Sequence, residues 1–212
     1  MEKISLDILK KEMDDFLIKQ VMSGRSLLDR FSLIDEGSRK SPPYVDPRYA
    51  PFYYYLGKCL SPKNMVEIGF DLGLLSASFL TSCRTVDSFF GFKEDNKLSF
   101  FSNRLGIKNI KKVYKGNRDF FYGQVFDNNL EKKIRSEKWD LVLINEEKEY
   151  DKQLQYMEMM WPNISENGIM VVEYIKSHRP SKEAFKSFVE GKELKSITFD
   201  TRYGTGIAQN GI

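Results

Sequence analysis

The stretch Met65-Val66-Glu67-Ile68-Gly69-Phe70-Asp71-Leu72-Gly73-Leu74-Leu75-Ser76 organises the predicted fold. An apolar run ends at Gly69, a turn follows through Asp71 and Gly73, and a small, apolar run continues to Leu80. Glycine suits a backbone that takes positive φ or approaches a ligand closely. A helix that begins directly after such a turn presents N–H groups and a positive dipole end. The sequence therefore predicts a strand, a tight turn and a helix whose start can bind a polar ligand.

Strands and helices alternate after this turn. Strands are predicted at 65–68, 85–90, 111–114, 139–144 and 169–172, helices at 73–81, 96–105, 120–137, 151–161 and 181–190, and a closing hairpin over 194–209. Gly106 is expected to end the helix at 96–105. The run from Trp139 to Ile144 is apolar almost throughout, as in strands buried on both faces of a parallel sheet. This alternation predicts an α/β fold, a Rossmann-like three-layer sandwich with a mostly parallel seven-stranded sheet and an antiparallel closing strand.

Residues 1–58 are predicted to be an N-terminal helical extension, and residues 59–212 the main domain. Apolar residues at near-helical spacing over 4–20 indicate an amphipathic helix, which makes a homodimer or protein partner contact plausible. A short helix over 26–34, a linker over 35–49 and a helix that begins near Pro47 or Pro51 with Asp46 as its cap are also expected. The tyrosines of this last segment suit core packing or the mouth of a ligand site.

Composition excludes some classes of protein. With 41% hydrophobic residues the chain can bury a sizeable core, and a net charge of +3 does not require a nucleic-acid partner. Lysines gather over 108–115 and 132–138, which favours solvated faces and leaves an anionic partner as the alternative. Cys59 and Cys83 are expected to be small buried hydrophobes in a reducing compartment. No apolar run approaches the roughly 18 residues of a membrane span, so a cytoplasmic protein is expected.

A polar residue stands at the predicted carboxyl end of each of five strands: Glu67, Asp87, Asn117, Asn145 and Glu173. Ligands of open parallel sheets bind at these ends, where the strand order reverses. Asp87 follows Glu67 by 20 residues. An acidic residue at about that distance bonds ribose hydroxyls in nucleotide-binding α/β folds.

This pattern resembles class I S-adenosylmethionine-dependent methyltransferases, in their small-molecule O-methyltransferase-like branch, over about residues 60–212. The first family motif matches Val66 to Gly73, and Gly116-Asn117 stands where the family often has Gly-Asp. The segments 144–150 and 166–174 match the family's motifs after the fourth strand and through the fifth. The order and spacing of these motifs together carry the resemblance.

The resemblance implies S-adenosylmethionine as cofactor and methylation of a small-molecule or sugar-like hydroxyl. Glu67 would support the methionine end, Asp87 would accept the ribose hydroxyls, and Asn117 would face the adenine. The cofactor-binding positions that the resemblance implies are Glu67, Gly69, Phe70, Gly73, Asp87, Ser88, Asn117 and Asn145.

The acceptor side of the site departs from the family pattern. Metal-dependent members have carboxylates after the fourth strand and an Asp-Asp or Asp-Asn pair after the fifth, whereas this chain has Asn145 and Glu173-Tyr174. An amide and a single carboxylate suit Mg²⁺ poorly, so a metal-independent reaction is predicted. Candidates for the proton acceptor are Lys148, where the family has histidine, Glu147, and the single histidine, His178.

Three alternatives remain open. A worn methyltransferase fold that acts as a binding or structural protein would explain Asp71 in place of the middle glycine and the altered motifs after the fourth and fifth strands. A nucleotide-binding oxidoreductase would need Gly-x-Gly-x-x-Gly, which residues 69–73 do not match. Nucleic-acid methylation is supported only by the lysines over 108–115, because the Pro-Pro-Tyr sequence of 42–44 precedes the first strand.

Overall fold

The computed structural model describes residues 4–23, 49–94, 99–123, 128–146 and 148–211. Helices and strands alternate along the main part of the chain. In chain order the elements are α1 (Leu6–Ser23), α2 (Ala50–Cys59), β1 (Asn64–Ile68), α3 (Leu74–Ser82), β2 (Ser88–Glu94), α4 (Ser99–Val113), β3 (Asn117–Gly123), α5 (Asn128–Arg135), β4 (Trp139–Ile144), α6 (Tyr150–Met160), a 3₁₀ turn (Trp161–Asn163), β5 (Ile164–Val172), α7 (Arg179–Gly191), β6 (Ser196–Phe199) and β7 (Thr205–Gln209).

The seven strands form one sheet in the order β3-β2-β1-β4-β5-β7-β6. Strands β1 to β5 pair in parallel, and β7 pairs antiparallel with both of its neighbours. The connections leave β1 in one direction through β2 and β3 and in the other through β4 and β5. The carboxyl ends of β1 and β4 therefore frame the topological switch point.

Helices cover both faces of the sheet, because alternate side chains of each buried strand enter opposite cores. On β1, Met65 joins the core under α1 to α4, and Val66 joins the core under α5 to α7. On β4, Leu143 and Val142 divide in the same way. The predicted three-layer sandwich with a mostly parallel seven-stranded sheet is confirmed.

The N-terminal helices pack directly on the sheet domain. Leu9 and Met13 of α1 and Phe52 of α2 are fully buried in the same core as β1. Pro51 stands in the first turn of α2, where a missing N–H costs nothing. The expected helix over 26–34, residues 35–48 of the expected linker and the expected cap Asp46 lie outside the described residues. The domain boundary at residue 58 stays a prediction.

Helix α1 also presents apolar side chains outward. Ile8 and Ile18 are the exposed large hydrophobic residues among those that the structure describes, each 57% exposed. Within the described ranges, no helix combines the length and the apolar character needed to cross a membrane.

The sequence prediction around α4 is wrong. Residues 111–113, predicted as a strand, form the last turn of α4, and the helix continues through Gly106 rather than ending there. A Cβ at Gly106 would lie 2.5 Å from the carbonyl oxygen of Asp71. The glycine therefore permits close packing of a continuous helix on the turn after β1, and it is not a C-cap.

The helix predicted over 120–137 is also wrong in its first part, which is β3. Phe120 lies 5.2 Å from the ring of Phe70 in one core, whereas Phe121 stacks at 6.0 Å on Phe92 in the other. Successive aromatic side chains that face opposite sides of a sheet are a strand pattern. The helix begins only at Asn128.

Candidate functional site

A cavity of about 360 Å³ lies at the topological switch point, at the carboxyl ends of β1, β2 and β4. One wall is the backbone of the glycine turn and the start of α3, and the opposite wall is aromatic. The lining residues are Tyr49, Gly69, Asp71, Leu72, Gly73, Leu74, Leu75, Lys93, Asn145, Glu146, Tyr174 and Tyr203. The cavity therefore has the position at which open α/β sheets bind their ligands.

The turn after β1 requires its two glycines. Gly69 and Gly73 have φ of +87° and +62°, in the region that side chains with a Cβ rarely adopt. A Cβ would lie 2.2 Å from the carbonyl oxygen of Asn145 at Gly69, and 2.5 Å from Cε2 of Phe70 at Gly73. At both positions the backbone lies so close to neighbouring atoms that only glycine fits.

Phe70 supports this turn from beneath. Its side chain is fully buried, with ring centroids 5.8 Å from Phe89 and 5.2 Å from Phe120. The cofactor contact that the resemblance implies for Phe70 would therefore have to come from its backbone.

Glu67 joins three elements beneath the cavity. Its side chain is fully buried, and Ser76 on α3 donates its hydroxyl hydrogen to Oε2. Asn145, directly after β4, donates from Nδ2 to Oε1 at 3.2 Å. Burial raises the pKa of Glu67 to about 7, although the bonds from Ser76 and Asn145 oppose that rise. The carboxyl group fixes the start of α3 against the ends of β1 and β4.

Glu173, directly after β5, forms a second buried polar group. Its Oε1 accepts hydrogen bonds from the hydroxyl of Tyr53 on α2 and from that of Thr205 at the start of β7. Burial raises the pKa of Glu173 to about 7, against the effect of these two bonds. Two carboxyl groups that titrate near neutrality thus lie at the ends of β1 and β5, on either side of β4, and perturbed pKa values of this kind are typical of functional sites.

Directly after β4 and β5, two buried acceptor atoms lack a donor within the described part of the chain: Oδ1 of Asn145 and Oε2 of Glu173. Asn145 turns its Nδ2 toward β1, and Glu173 turns Oε1 toward α2 and β7. A buried acceptor without a donor costs about 1–3 kcal/mol. Protonation of Glu173 would relieve this cost at its own carboxyl group, and a ligand that donates a hydrogen bond would relieve it at Asn145, which lines the cavity.

Three tyrosines form the aromatic wall of the cavity. The ring of Tyr203 lies 5.5 Å from that of Tyr49 and 5.1 Å from that of Tyr174. Tyr174 has φ of +68°, an uncommon conformation for a bulky residue. Tyr53 and Tyr54 are buried in the core and do not line the cavity. Both interpretations of the tyrosine-rich segment thus hold, for different residues.

Charged side chains form ion pairs at the cavity lining. Lys93, near the end of β2, lies 3.0 Å from Oε1 of Glu146, and Lys148 lies 3.3 Å from its Oε2. The side chains of Lys93 and Glu146 are only 15% and 9% exposed. Lys148 therefore reaches the cavity lining through Glu146, whereas Glu147 lies outside the described residues.

The structure separates three predicted cofactor residues from this cavity. Asp87 immediately precedes β2, and Ser88 and Asn117 are the first residues of β2 and β3. Asp87 lies 3.4 Å from Lys63, and its carbonyl accepts the N–H of Asn117 at 3.2 Å. The predicted position of Asp87 and Asn117 at the carboxyl ends of strands is therefore wrong. Ser88 lies five residues before Lys93, the residue of β2 that lines the cavity, or about 17 Å along the strand.

The cause of this error is the length of β2. The predicted strand ended at Phe90, whereas the observed strand continues to Glu94, which is the acidic residue at its carboxyl end. Phe90 and Phe92 are two positions apart and face the same core. This period of two is the signal in the sequence for the longer strand.

His178 has a structural position at the start of α7. It is the N-cap residue, and its Nδ1 lies 2.8 Å from the hydroxyl of Ser181. The residue does not contribute to the lining of the cavity. Among the described side chains, no group of three or more histidine, cysteine, aspartate or glutamate residues is arranged to hold a metal ion.

No protein-family model and no curated protein matches this sequence. Solved structures do share the fold. An O-methyltransferase from Bacillus cereus in complex with SAH has a TM-score of 0.59 at 11% identity, over 92% of this chain and 90% of that one. The O-methyltransferase TomG from Streptomyces achromogenes, involved in tomaymycin synthesis and solved with SAM, has a TM-score of 0.58 at 14% identity over the full length of both chains. A methyltransferase from Geobacter sulfurreducens has a TM-score of 0.55 at 11% identity, over 76% and 77%.

Proposed function

We propose that this chain binds S-adenosylmethionine and transfers its methyl group to an oxygen of a small-molecule or sugar-like acceptor, without a metal ion. The observation that carries the proposal is the cavity at the switch point. Gly69 and Gly73 shape its turn, and the buried carboxyl group of Glu67 accepts a hydrogen bond from Asn145, which also lines the cavity. The likeness to solved O-methyltransferases, two of them with SAH or SAM, supports the same ligand.

The residues of the cavity fit the parts of this cofactor. Leu74 and Leu75 bring the start of α3 to the lining, where the first N–H groups of a helix have no earlier turn to bond. Such a helix start suits the methionine carboxylate. The faces of Tyr49 and Tyr174 suit the positive charge of a sulfonium. When bound, the cofactor supplies an activated methyl group, and the protein has to hold an acceptor in line with it.

The acceptor side is assigned to the ends of β4 and β5. Asn145 lines the cavity, and its Oδ1 is a buried acceptor without a donor among the described residues. We assign to Glu173 the role of receiving the proton that the acceptor hydroxyl loses. Glu173 is not in the cavity lining but directly precedes the lining residue Tyr174, and its pKa of about 7 suits general base catalysis near neutral pH. Lys148 remains in the proposal as a group that acts through Glu146, and Glu147 remains a sequence prediction.

Calorimetric titration with S-adenosylmethionine and with its demethylated product tests the cofactor. Heat of binding and a thermal shift with both are expected. Absence of both signals would contradict the proposal. Transfer of a labelled methyl group to a panel of hydroxylated small molecules and sugars, with and without a metal chelator, then tests the acceptor class and the metal-independent reaction.

The Lys93–Glu146 ion pair favours a second candidate, a binding or structural protein without catalysis. Both residues line the cavity, and a Cβ at Gly69 would lie only 2.5 Å from Cγ of Glu146. The Glu146 side chain therefore fills space next to the turn that a bound cofactor would need. In this case the wild-type protein would transfer no methyl group, whether or not it binds the cofactor, and Glu146→Ala would not create transfer. If wild type binds with heat that Glu146→Ala increases or decreases, the pair belongs to the cofactor site, and methyl transfer by wild type would then exclude the second candidate.

A further inference from the structure

The positive charge of the chain is concentrated in one segment. Between Arg104 and Arg118 there are six basic residues and no acidic residue. Removing these six from the 33 basic residues of the chain leaves 27 against 30 acidic residues, a net charge of −3. The overall charge of +3 therefore hides a strongly basic segment on an otherwise acidic protein.

The fold places these residues along one groove at the edge of the sheet. Helix α4 leads into β3, which is the edge strand. Two adjoining grooves of about 630 and 570 Å³ share Ile107, Lys111 and Lys115 in their lining. We call them together the α4–β3 groove; its basic residues are Arg104, Lys108, Lys111, Lys112, Lys115 and Arg118.

The spacing of the charges suits a regular polyanion. On α4 and just beyond it, basic residues recur at 104, 108, 111, 112 and 115, mostly three or four positions apart, and all five are exposed. With a rise of 1.5 Å per residue, the row would extend about 16 Å. Measured along the axis of a duplex, one strand has a phosphate every 3.4 Å, so about five phosphates fall within this axial length.

Other anionic partners fit less well. A membrane surface favours apolar side chains beside the basic ones, whereas the exposed large hydrophobic residues in the described ranges are Ile8 and Ile18, on α1. A protein partner presents charges of both signs, and complementary surfaces match that mixture. The segment 104–118 has one sign only.

We propose that the α4–β3 groove binds the phosphodiester backbone of a nucleic acid, without reading its sequence. Arg118 fits this role because its guanidinium is held at the groove by the carbonyl of Gly116 at 3.0 Å. The lining also includes Asn117, whose amide can donate to a phosphate oxygen. The proposal accounts for Asn117 and the 108–115 lysines, neither of which contributes to the cavity at the switch point.

The groove is a site separate from the cavity, although one helix contacts both. The inner side of α4 packs on the turn after β1, where Nδ2 of Asn109 donates to the carbonyl of Leu72 at 3.0 Å. The basic side chains leave the same helix on its exposed side. Nucleic-acid binding would therefore not depend on the proposed methyltransferase activity.

Fluorescence anisotropy of labelled 20-nucleotide single-stranded RNA, single-stranded DNA and duplex DNA, between 50 and 200 mM salt, tests the proposal. The variant is Lys108→Gln with Lys111→Gln and Lys115→Gln. The matched control makes the same charge change on the opposite layer, at Lys182, Lys186 and Lys195, which are also exposed. Glutamine preserves helix propensity at the four positions that lie in helices, Lys108, Lys111, Lys182 and Lys186, and circular dichroism verifies folding of both variants.

The groove variant is expected to bind each nucleic acid that wild type binds at least tenfold more weakly. Its slope of log affinity against log salt should fall in magnitude by about 2, since each neutralised phosphate contributes about 0.7–0.9. The control should bind with the affinity of wild type. The preference of wild type among the three nucleic acids identifies which of them the groove binds. Absence of wild-type binding at 50 mM salt, equal losses in variant and control, or equally tight binding of polyglutamate or anionic vesicles would each overturn the proposal. Lys111→Gln alone repeats the test should the triple variant unfold.

Discussion

Asn145 donates from Nδ2 to Oε1 of Glu67 at 3.2 Å, and this bond joins the ends of β4 and β1 at the switch point. The same amide group lies 3.4 Å from the carbonyl oxygen of Gly69. One side chain thus holds both the buried acid and the first glycine of the turn. The shape of the cavity should therefore depend on Asn145 more than on any contact at the far end of the strands.

Replacing Asn145 by alanine is expected to weaken binding of the demethylated cofactor at least tenfold in calorimetry. The variant leaves Oε1 of buried Glu67 without this donor, which should cost about 1–3 kcal/mol in the free energy of unfolding. Asp87→Asn is the control, because Asp87 lies at the amino end of β2 and is well exposed. Equal losses for the two variants would contradict this assignment and restore the sequence-based role of Asp87.

A second prediction concerns the turn itself. Gly73→Ala places a Cβ 2.5 Å from the ring of Phe70 at φ of +62°. Strain of this kind costs of order 1–3 kcal/mol, and the displaced start of α3 should abolish measurable cofactor binding. Gly191→Ala is the matched control, since Gly191 ends α7 and nothing lies within 4 Å of an added Cβ. Chemical denaturation and calorimetry measure both effects, and a Gly73 variant as stable as the control would be evidence against the strained turn.

The sequence predicts the centre of the sheet better than its edge. Strands β1, β4 and β5 contain long apolar runs, because both faces of a central parallel strand are buried. The edge strand β3 opens with Asn117-Arg118-Asp119, whose polar side chains look like a loop, and its aromatic residues were attributed to a helix. Tertiary position, rather than local propensity, decides such strands.

The same difference explains which site residues the sequence could identify. Glu67, Gly69, Gly73 and Asn145 belong to central strands or their turns, and the structure brings them together. Placing Asp87 correctly requires the end of β2, which lies in the sequence Phe92-Lys93-Glu94, where apolar patterning stops. The polar pair of Glu173 with Tyr53 joins residues 120 positions apart, and no local pattern reports such a contact.

A third prediction separates structure from catalysis at His178. The ring interaction with Ser181 at 2.8 Å stabilises the first turn of α7, so His178→Ala should lower the free energy of unfolding by about 0.5–1.5 kcal/mol. Cofactor affinity and any rate of methyl transfer should stay within twofold of wild type. Ser181→Ala should reproduce the loss of stability. A large fall in rate at unchanged stability would instead support the sequence-based role of His178 as the proton acceptor.

The last prediction uses the pH dependence of stability at Glu173. Burial raises the pKa of this carboxyl from 4.5 to about 7 in the folded protein. Between these values the folded state keeps a proton that the unfolded state has lost. The free energy of unfolding should therefore fall with rising pH through this window, by up to about 1.4 kcal/mol per pH unit from this group.

Glu173→Gln removes this contribution, because glutamine does not titrate. The variant should gain stability relative to wild type by about 2–3 kcal/mol as the pH rises from 4.5 to 7.5, measured by chemical denaturation. The same substitution at Glu166, on the exposed surface of β5, should give a curve parallel to that of wild type. Parallel curves for Glu173→Gln as well would show that a donor other than its own proton satisfies the buried carboxyl, and its assignment as the proton acceptor would fail.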